Sequence, residues 1–285
     1  MQTVQWFPGH MAKAKREISE KIKLVDLVIE LKDARIPYAS TNPMIQEIVG
    51  NKPRLILLCK SSLADPVITQ KWIESYKKNG ILALDIDSIQ GYHMKEIVPY
   101  AKLALKDEFQ RRKNRQIASQ TIKAVILGIP NVGKSTLINA LAKRKATTVG
   151  DKPGVTKSQT WIKITNDLYL LDTPGILWPK FEDPEVGIKL AMCGSIKDEI
   201  LDLNGLVLFS IGYVAKMYPE LLKSRYKIEL SEDLEQMQSQ IGKNRGFLSK
   251  GGRVDLERTN RMFLNELRGM KIGAMSYERP EDKLI

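Results

Sequence analysis

The sequence predicts an α/β protein with a doubly wound, mostly parallel sheet, followed by an all-helical segment. Apolar runs with strand character alternate with helix-like stretches over the first 180 residues. One of these runs leads directly into the glycine-rich string GIPNVGKS at 128–135, which precedes a helix-like stretch and fits a phosphate-binding loop. Helix signals dominate residues 181–285. We therefore expect an α/β domain that binds a nucleotide over 1–180 and a helical domain over 181–285.

The individual elements follow from the spacing of the apolar residues. Short runs of branched apolar residues that end at polar loops predict strands. The expected strands are Leu24–Leu31, Arg54–Leu58, Ile81–Ile86, Ile122–Leu127 and Leu168–Leu171. Longer stretches with helical periodicity predict helices over 11–23, 94–106, 184–200, 206–217, 231–240 and 256–267. Ser231 is the expected cap of the fifth helix, and 107–120 is expected to be a linker or a helix extension.

Composition limits the classes of protein to which the chain can belong. Its 285 residues, 43% of them apolar, suffice to bury a core, and a mean hydropathy of −0.25 is compatible with solubility. No apolar run is long enough to span a membrane and the N-terminus has no signal-peptide pattern, so we expect a cytoplasmic protein without a membrane partner. The two cysteines, Cys59 and Cys193, are too few and too far apart for a disulfide framework or a four-ligand zinc site.

The chain is strongly basic. Forty-five Lys and Arg against 33 Asp and Glu give a formal net charge of +12. The excess is concentrated in residues 13–23, 106–115 and 243–261, which carry five, five and six basic residues against two acidic residues each. A solvated helix face explains any one cluster equally well, but three clusters on a basic background favour a nucleic-acid partner.

The GIPNVGKS string has the four fixed residues of a phosphate-binding loop. Backbone N–H groups would cradle the phosphates of a nucleoside triphosphate, Lys134 would lie between the β- and γ-phosphates, and the Ser135 hydroxyl would bind Mg²⁺. The expected nucleotide-binding residues of this loop are Asn131, Val132, Gly133, Lys134, Ser135 and Thr136.

Two later segments complete the expected phosphate site. An apolar strand delivers Asp172 of the string Asp-Thr-Pro-Gly, and we expect Asp172 to hold Mg²⁺ through water and the Gly175 N–H to meet the γ-phosphate. Alone, an aspartate at a strand end is often only a turn residue. A Pro-Gly segment ending at Thr156 lies between the two motifs; it is either a mobile loop that brings this hydroxyl to the metal or an ordinary turn.

The base-reading motif is not where a GTPase usually has it. An Asn-Lys-x-Asp loop normally follows Asp-x-x-Gly, but residues 176–285 contain none. The nearest candidate lies upstream, where one expected strand runs into Cys-Lys-Ser-Ser and the next into Asp-Ser-Ile. The order is therefore circularly permuted, which a sheet tolerates because strands pack by position in space. The candidate base-contacting residues are Cys59, Lys60, Ser62, Asp87 and Ser88.

Two further strings are WFPGHM at 6–11 and DARIP at 33–37. Together with GIPNVGKS, PGVT at 153–156 and DTPG at 172–175, they resemble the circularly permuted GTPases of the RbgA/YlqF type over nearly the whole chain. The resemblance implies a P-loop GTPase fold and hydrolysis of GTP to GDP, stimulated by a precursor of the large (50S) ribosomal subunit whose late maturation the protein promotes. It also implies a helical domain that contacts ribosomal RNA. We expect a monomer whose partners are the RNA and proteins of that precursor.

One departure from the family concerns the base-reading loop. The family has Asn first and Asp last, and the Asp carboxylate accepts two hydrogen bonds from guanine; this chain has Cys59 and Ser62 at these positions. Losing a charge-assisted pair corresponds to about 1.5–3 kcal/mol, so guanine selectivity should be roughly ten- to a hundredfold weaker than in relatives with an intact loop. We expect GTP to bind through its phosphates. Competition between GTP, ATP and XTP tests this prediction.

The catalytic water also lacks its usual partner, because Ile176 stands where many GTPases have a Gln. His10 matches the family residue thought to act instead, and an imidazole can orient or deprotonate water; the alternative is that His10 packs against the N-terminal helix. Asn131 resembles the asparagine that binds K⁺ in potassium-activated relatives, and its alternative role is a loop hydrogen bond. The expected cofactors beside GTP or GDP are therefore Mg²⁺ and K⁺.

Two functions remain open at this point. The first is a GTPase whose hydrolysis times its release from the assembling subunit. The second is a nucleotide-gated RNA-binding scaffold with little turnover or relaxed purine specificity. Phosphate release stimulated by the ribosomal particle would distinguish the first function from the second.

Overall fold

The computed structural model of the protein describes residues 8–117, 120–142, 148–149, 161–171, 173 and 183–282, with the backbone alone at 8–14, 148–149 and 282. The helices are α1 (Pro8–Lys23), α2 (Pro43–Val49), α3 (Pro66–Lys78), α4 (Ile97–Ala104), α5 (Lys106–Asn114), α6 (Lys134–Ala142), α7 (Pro184–Met192), α8 (Leu203–Met217), α9 (Pro219–Tyr226), α10 (Leu234–Asn244) and α11 (Leu256–Arg268). The strands are β1 (Leu27–Asp33), β2 (Arg54–Cys59), β3 (Leu82–Asp85), β4 (Ile122–Gly128), β5 (Thr148–Val149), β6 (Trp161–Lys163) and β7 (Leu168–Leu171).

These strands form one sheet in the order β3-β2-β1-β4-β7-β6-β5. The pairs from β3 to β7 are parallel, and β6 and β5 add an antiparallel edge. β1 lies between β2 and β4, so a strand from the amino-terminal part of the chain occupies the centre of the five parallel strands. Because the carboxyl ends of neighbouring parallel strands meet at one edge, the loops that follow β2, β1 and β4 are neighbours.

Both faces of the sheet are covered, as burial of the central strand indicates. All seven residues of β1 are buried, so its alternating side chains find apolar cover in both directions. On one face, residues of α1 and α2 form a cluster with Val28 of β1 and Val125 of β4. Trp72 and Tyr76 of α3 pack against Ile56 and other residues of β2. The predicted α/β fold with a mostly parallel sheet is confirmed.

The structure corrects several predicted bounds. β1 begins at Leu27 rather than Leu24, because the basic helix α1 runs to Lys23 and a turn follows. Three helices were not predicted: α2, α3 and α9. The sequence did contain their start signals, since α2 and α3 begin with proline after Asn42 and Asp65, whose side chains accept N–H bonds from the first turn. α5 confirms the helix-extension alternative for part of 107–120.

The helices α7, α8, α10 and α11 begin in the same way. The aspartate before each helix accepts a hydrogen bond from a first-turn N–H; these residues are Asp183, Asp202, Asp233 and Asp255. The prediction that Ser231 caps the helix after it was wrong. Asp233 Oδ1 accepts from the Gln236 N–H at 2.9 Å, whereas the Ser231 hydroxyl donates to the Asp233 carbonyl. A carboxylate at this position also suits the positive end of the helix dipole.

The chain divides into two compact units. One comprises Gln5–Lys180 together with Glu278–Ile285, and the other contains Phe181–Tyr277. Glu278 and the described residues after it therefore belong with the sheet rather than with the helical unit. In the described ranges, no helix combines the length and apolar character needed to cross a membrane.

Candidate nucleotide-binding site

The phosphate-binding loop connects β4 to α6. At its start, a Cβ on Gly128 would lie 3.1 Å from both the Cβ and the carbonyl oxygen of Leu31 in β1, so only glycine fits without displacement. Val132 is fully buried and anchors the loop, and Gly133 has a φ of +108° that favours glycine. α6 begins at Lys134, and its first N–H groups and its dipole make this end an anion site. The predicted strand–loop–helix context is therefore present.

Lys134 meets the segment that follows β7. Its Nζ donates a hydrogen bond to the carbonyl of Thr173, the residue after the predicted Mg²⁺-binding aspartate. The Thr173 hydroxyl donates at 2.5 Å to the Ile126 carbonyl in β4, so this segment is fixed to the strand that carries the loop. Ser135 and Thr136 are exposed in the first turn of α6. The structure thus brings the loop together with Thr173 of the DTPG string.

Four predicted site residues carry no structural description of their side chains. His10 lies in the first turn of α1, where only the backbone is described. Thr156, Asp172 and Gly175 lie outside the described residues. Their proposed roles in catalysis and metal binding stay predictions.

Lys60 is the first residue after β2 and has a left-handed backbone conformation, with φ of 57°. Its Nζ lies 3.1 Å from Oδ2 of Asp33, the last residue of β1. Asp33 is fully buried and also accepts from the Arg35 guanidinium at 2.9 and 2.8 Å. Burial opposes ionisation, but the charges of Arg35 and Lys60 outweigh it and hold the pKa of Asp33 well below its ordinary value. Asp33 is therefore an anion that fixes the lysine of the predicted base-reading loop.

Cys59 occupies the first position of that loop and is 3% exposed. Burial, and then the nearby Asp33 carboxylate, raise the pKa of its thiol far above the ordinary value. Its Sγ lies 3.6 Å from the Leu57 carbonyl. Cys59 is thus a neutral, packed side chain that can support the loop but offers no charge to a ligand.

Ser62 and Asp87 are brought together at the ends of β2 and β3. The Ser62 hydroxyl donates to Oδ2 of Asp87, and the Ser61 N–H donates to the Ile86 carbonyl at 3.1 Å. Asp87 Oδ1 accepts the N–H groups of Ile89 and Gln90 at 2.8 and 2.9 Å. The two predicted base-reading segments therefore form one hydrogen-bonded unit. Ser88 follows Asp87 and is partly exposed.

The sequence analysis did not identify two buried carboxylates that form hydrogen bonds with the loops at this edge of the sheet. Asp33 lies in the DARIP string, which the sequence flagged without assigning the aspartate a role. Glu278 is 2% exposed and accepts from the Tyr38 N–H at 2.7 Å and the Ala39 N–H at 3.1 Å, in the loop that follows the same string. Its carbonyl accepts from Trp72 Nε1 at 3.2 Å. No local pattern could have indicated this contact, since it spans 240 residues.

The sheet order, the strand–loop–helix around Lys134 and the Lys60 loop two strands away define a P-loop GTPase with circularly permuted motif order. A family model described as "50S ribosome-binding GTPase" matches residues 123–241. The chain is 51% identical over 282 residues to Ribosome biogenesis GTPase A of Priestia megaterium, covering 98% of both chains. It is 50% identical over 280 residues to the protein of that name from Bacillus cereus, covering 98% of this chain and 95% of the other.

A solved structure gives the same result. The GDP-bound structure of TM YlqF superposes with a TM-score of 0.67 at 29% sequence identity, covering 94% of this chain and 100% of the other. The chain therefore belongs to the ribosome biogenesis GTPase A family, and the predicted resemblance is confirmed. It is a GTPase of this family, with the family's fold.

Proposed function

We propose that this protein binds GTP at the carboxyl edge of β2, β1 and β4 and hydrolyses it on the assembling large ribosomal subunit, whose late maturation it promotes. The observation that carries the proposal is the permuted sheet. The loops with Lys60 and Lys134 leave the same edge on either side of β1, in a chain about half identical to ribosome biogenesis GTPases over nearly its whole length. This arrangement allows one nucleotide to contact both loops.

Groups of the protein that suit the phosphates of the nucleotide lie at the start of α6. Backbone N–H groups at the start of α6 face the position of the phosphates, and Lys134 supplies a charge there. The exposed Ser135 hydroxyl beside Lys134 suits Mg²⁺, which prefers oxygen ligands and stays close to the phosphates. With Thr156 and Asp172, Ser135 would hold the ion, whose chemistry is to neutralise charge that develops on the phosphate oxygens.

Hydrolysis also requires an aligned water. Because Ile176 cannot form a side-chain hydrogen bond, we assign that task to His10, in the first turn of α1. Intrinsic turnover should therefore be slow until the particle fixes the position of His10. Asn131 has a φ of 58° and is exposed in the phosphate loop, a position from which its side-chain oxygen can contact a K⁺ ion beside the phosphates.

The RNA contact is best supported in the turn between α10 and α11. Leu248 and Val254 form an antiparallel bridge, and the Gly251-Gly252 turn between them exposes Lys250 and Arg253. Neither side chain has an ion-pair partner in the described part of the chain. Arg245, by contrast, pairs with Glu266 at 3.2 Å, so it is less available to phosphates. We assign Lys250 and Arg253 to ribosomal RNA of the precursor particle.

Two of the five basic residues in each of the other two clusters form ion pairs within the protein. In α1, Lys15 pairs with Glu47 and Arg16 with Glu20. In α5, Arg111 and Arg112 both pair with Glu108. These contacts favour the solvated-face interpretation for the paired residues. The helical unit is therefore the proposed RNA-binding domain of a monomeric, cytoplasmic protein that contacts the RNA and proteins of the precursor.

A nucleotide-gated scaffold with little turnover is the second candidate. It is favoured by the positions of Ser62 and Ile176, where a base-reading carboxylate and a water-orienting amide are expected. This candidate predicts tight, nucleotide-dependent particle binding without stimulated hydrolysis.

One assay separates the two candidates. Phosphate release from GTP is measured with purified large-subunit precursors and without them, for the wild type, His10→Ala and Lys134→Ala. Stimulation in the wild type that His10→Ala loses, with nucleotide binding retained, supports the enzyme. Binding to the particle without stimulated release favours the scaffold. No GTP-dependent binding to the particle would overturn both, and Lys134→Ala reports the background without phosphate binding.

A further inference from the structure

A hydroxyl–carboxylate pair lies where the family has its base-reading carboxylate. Ser62 occupies that position, and its hydroxyl donates to Oδ2 of Asp87 from the neighbouring loop. Backbone hydrogen bonds beside Ser62 and at Asp87 hold the two residues in place. The Ser61 N–H bonds to the Ile86 carbonyl, and Asp87 exchanges backbone hydrogen bonds with Tyr92 at 3.2 and 3.0 Å. A carboxylate therefore lies after the end of the next strand, one hydrogen bond away from the residue at position 62.

Asp87 is held as an anion. It is 5% exposed, and its Oδ1 accepts two backbone N–H groups. Burial opposes ionisation, but the hydrogen bonds from Ser62, Gln90 and Ile89 outweigh it and lower the pKa of Asp87 below its ordinary value. An ionised carboxylate has no proton to donate, so the single Ser62 proton must point to Asp87. Towards any other partner, the Ser62 hydroxyl can then act only as a hydrogen-bond acceptor.

We propose that Ser62 and Asp87 together read the guanine base: Asp87 is a positioning residue that fixes the Ser62 hydroxyl as a hydrogen-bond acceptor for the N1–H and N2–H donors of guanine. The inference rests on the proposed function, because it places the base at the Lys60 loop. Adenine has an acceptor at N1 and no amino group at C2, so it has no donor for the Ser62 hydroxyl oxygen. Xanthine has an oxygen at C2, which the Ser62 lone pairs repel.

This pair preserves the direction of selectivity that the family carboxylate provides, but with a weaker acceptor. One hydroxyl replaces two charged oxygens, so discrimination should be lower than in relatives with an intact loop and still favour guanine. The rival explanation is that Asp87 only caps its own turn through Ile89 and Gln90. The two explanations differ for Asp87→Asn, because an asparagine oxygen also caps such a turn. Its amide N–H₂ would donate to Ser62 and free the serine proton to point towards the base.

The test is competition of GDP, IDP, XDP and ADP against a fluorescent GDP analogue, without ribosomal particles. The wild type should prefer GDP over ADP and XDP. Asp87→Asn should lower the GDP-over-XDP and GDP-over-ADP affinity ratios about tenfold, a change expected for one hydrogen bond. Ser62→Ala should remove the preference for GDP over IDP. The exchange variant Ser62→Asp/Asp87→Ser restores a carboxylate at position 62 backed by a hydroxyl, and should raise the GDP ratios to or above those of the wild type.

Ratios between nucleotides do not depend on the fraction of protein that is active, so partial misfolding does not mimic the effect. Asp85→Asn is the matched control. Its carboxylate lies 3.2 Å from His93 Nδ1, and its loss should leave the ratios unchanged. Unaltered ratios in Asp87→Asn, or an exchange variant no more selective than Asp87→Asn, would overturn the proposal. Failure of particle-stimulated hydrolysis would leave these ratios untouched, so the two proposals can fail separately.

Discussion

The ammonium of Lys60 lies 3.1 Å from Oδ2 of Asp33, so the lysine of the proposed base-reading loop is held by the last residue of the neighbouring strand. β1 carries Asp33, and it also pairs with β4, the strand that leads to the phosphate loop. The two halves of the site, which are far apart and permuted in sequence, therefore meet around one strand. The charge on Asp33 links the DARIP string to Lys60, in addition to the hydrogen bond from the Ala34 N–H to the Cys59 carbonyl.

Asp33→Asn should strongly destabilise the protein. The Arg35 guanidinium is 3% exposed and pairs with this carboxylate at 2.8 Å, so removing the negative charge breaks a buried ion pair from one side. Breaking such a pair from one side lowers the free energy of unfolding by about 3–5 kcal/mol. Urea denaturation measures the change. The control is Lys60→Met, which keeps the apolar stem of a partly exposed side chain and should change stability by about 1 kcal/mol or less.

The same carboxylate should make stability depend on pH in the acid range. Its pKa is lower in the folded protein than in the unfolded chain, where an aspartate titrates at about 3.9. The stabilisation is therefore fully present above the unfolded value and is lost as pH falls from about 4 towards the folded pKa. The free energy of unfolding of the wild type should fall more steeply with acid than that of Asp33→Asn. Parallel curves from about pH 5 to about pH 2 would contradict this assignment.

Glu278→Ala should destabilise the unit that contains the sheet. Its carboxylate accepts the N–H groups of Tyr38 and Ala39, and Ala39 is fully buried, so the variant leaves a buried donor without this acceptor. Such a loss costs about 1–3 kcal/mol. Glu281→Ala is the matched control from the same segment: it breaks an exposed pair with Lys71 and should cost about 0–1 kcal/mol. Equal losses in the two variants would show that Glu278 does not fix this loop.

Much of the fold could be predicted from local patterns. The strands that became β2, β4 and β7 were recognised within one residue, because they are short apolar runs bounded by polar loops. α3 was missed although Asp65 and Pro66 mark its start and its buried residues, which include Trp72 and Tyr76, have helical spacing. Both signals were present in the sequence and were overlooked.

The site was predictable only where its residues follow each other along the chain. The GIPNVGKS string determines the loop conformation within eight consecutive residues, so this conformation could be predicted from the sequence alone. The Ser62–Asp87 hydrogen bond joins residues 25 apart, and the Glu278 contact joins residues 240 apart. Such contacts depend on which strands become neighbours. In the sequence, Cys59 and Ser62 were recognisable only as departures from the base-reading motif, and only the packing reveals Asp87 beside Ser62.

The turn between α10 and α11 should make particle binding sensitive to salt. If Lys250 and Arg253 each neutralise a phosphate, their double alanine variant should reduce the slope of log affinity against log salt by about two. Binding to the precursor is measured between about 50 and 200 mM salt. Lys216→Ala, which removes an exposed lysine at the end of α8, is the control and should leave the slope unchanged. An unchanged slope in the double variant would place the RNA contact elsewhere.

Asn131→Ala should abolish a dependence of hydrolysis on K⁺. A cation held by the Asn131 oxygen beside the phosphates would stabilise negative charge that develops in the transition state, and losing one such stabilising group lowers kcat by about a hundredfold. Replacing K⁺ by Na⁺ should therefore slow particle-stimulated turnover of the wild type, while the variant turns over slowly in either salt. Asn139→Ala, an exposed asparagine further along α6, serves as the control and should keep the wild-type response. A wild-type rate that is equal in both salts would leave Asn131 with the loop hydrogen bond alone.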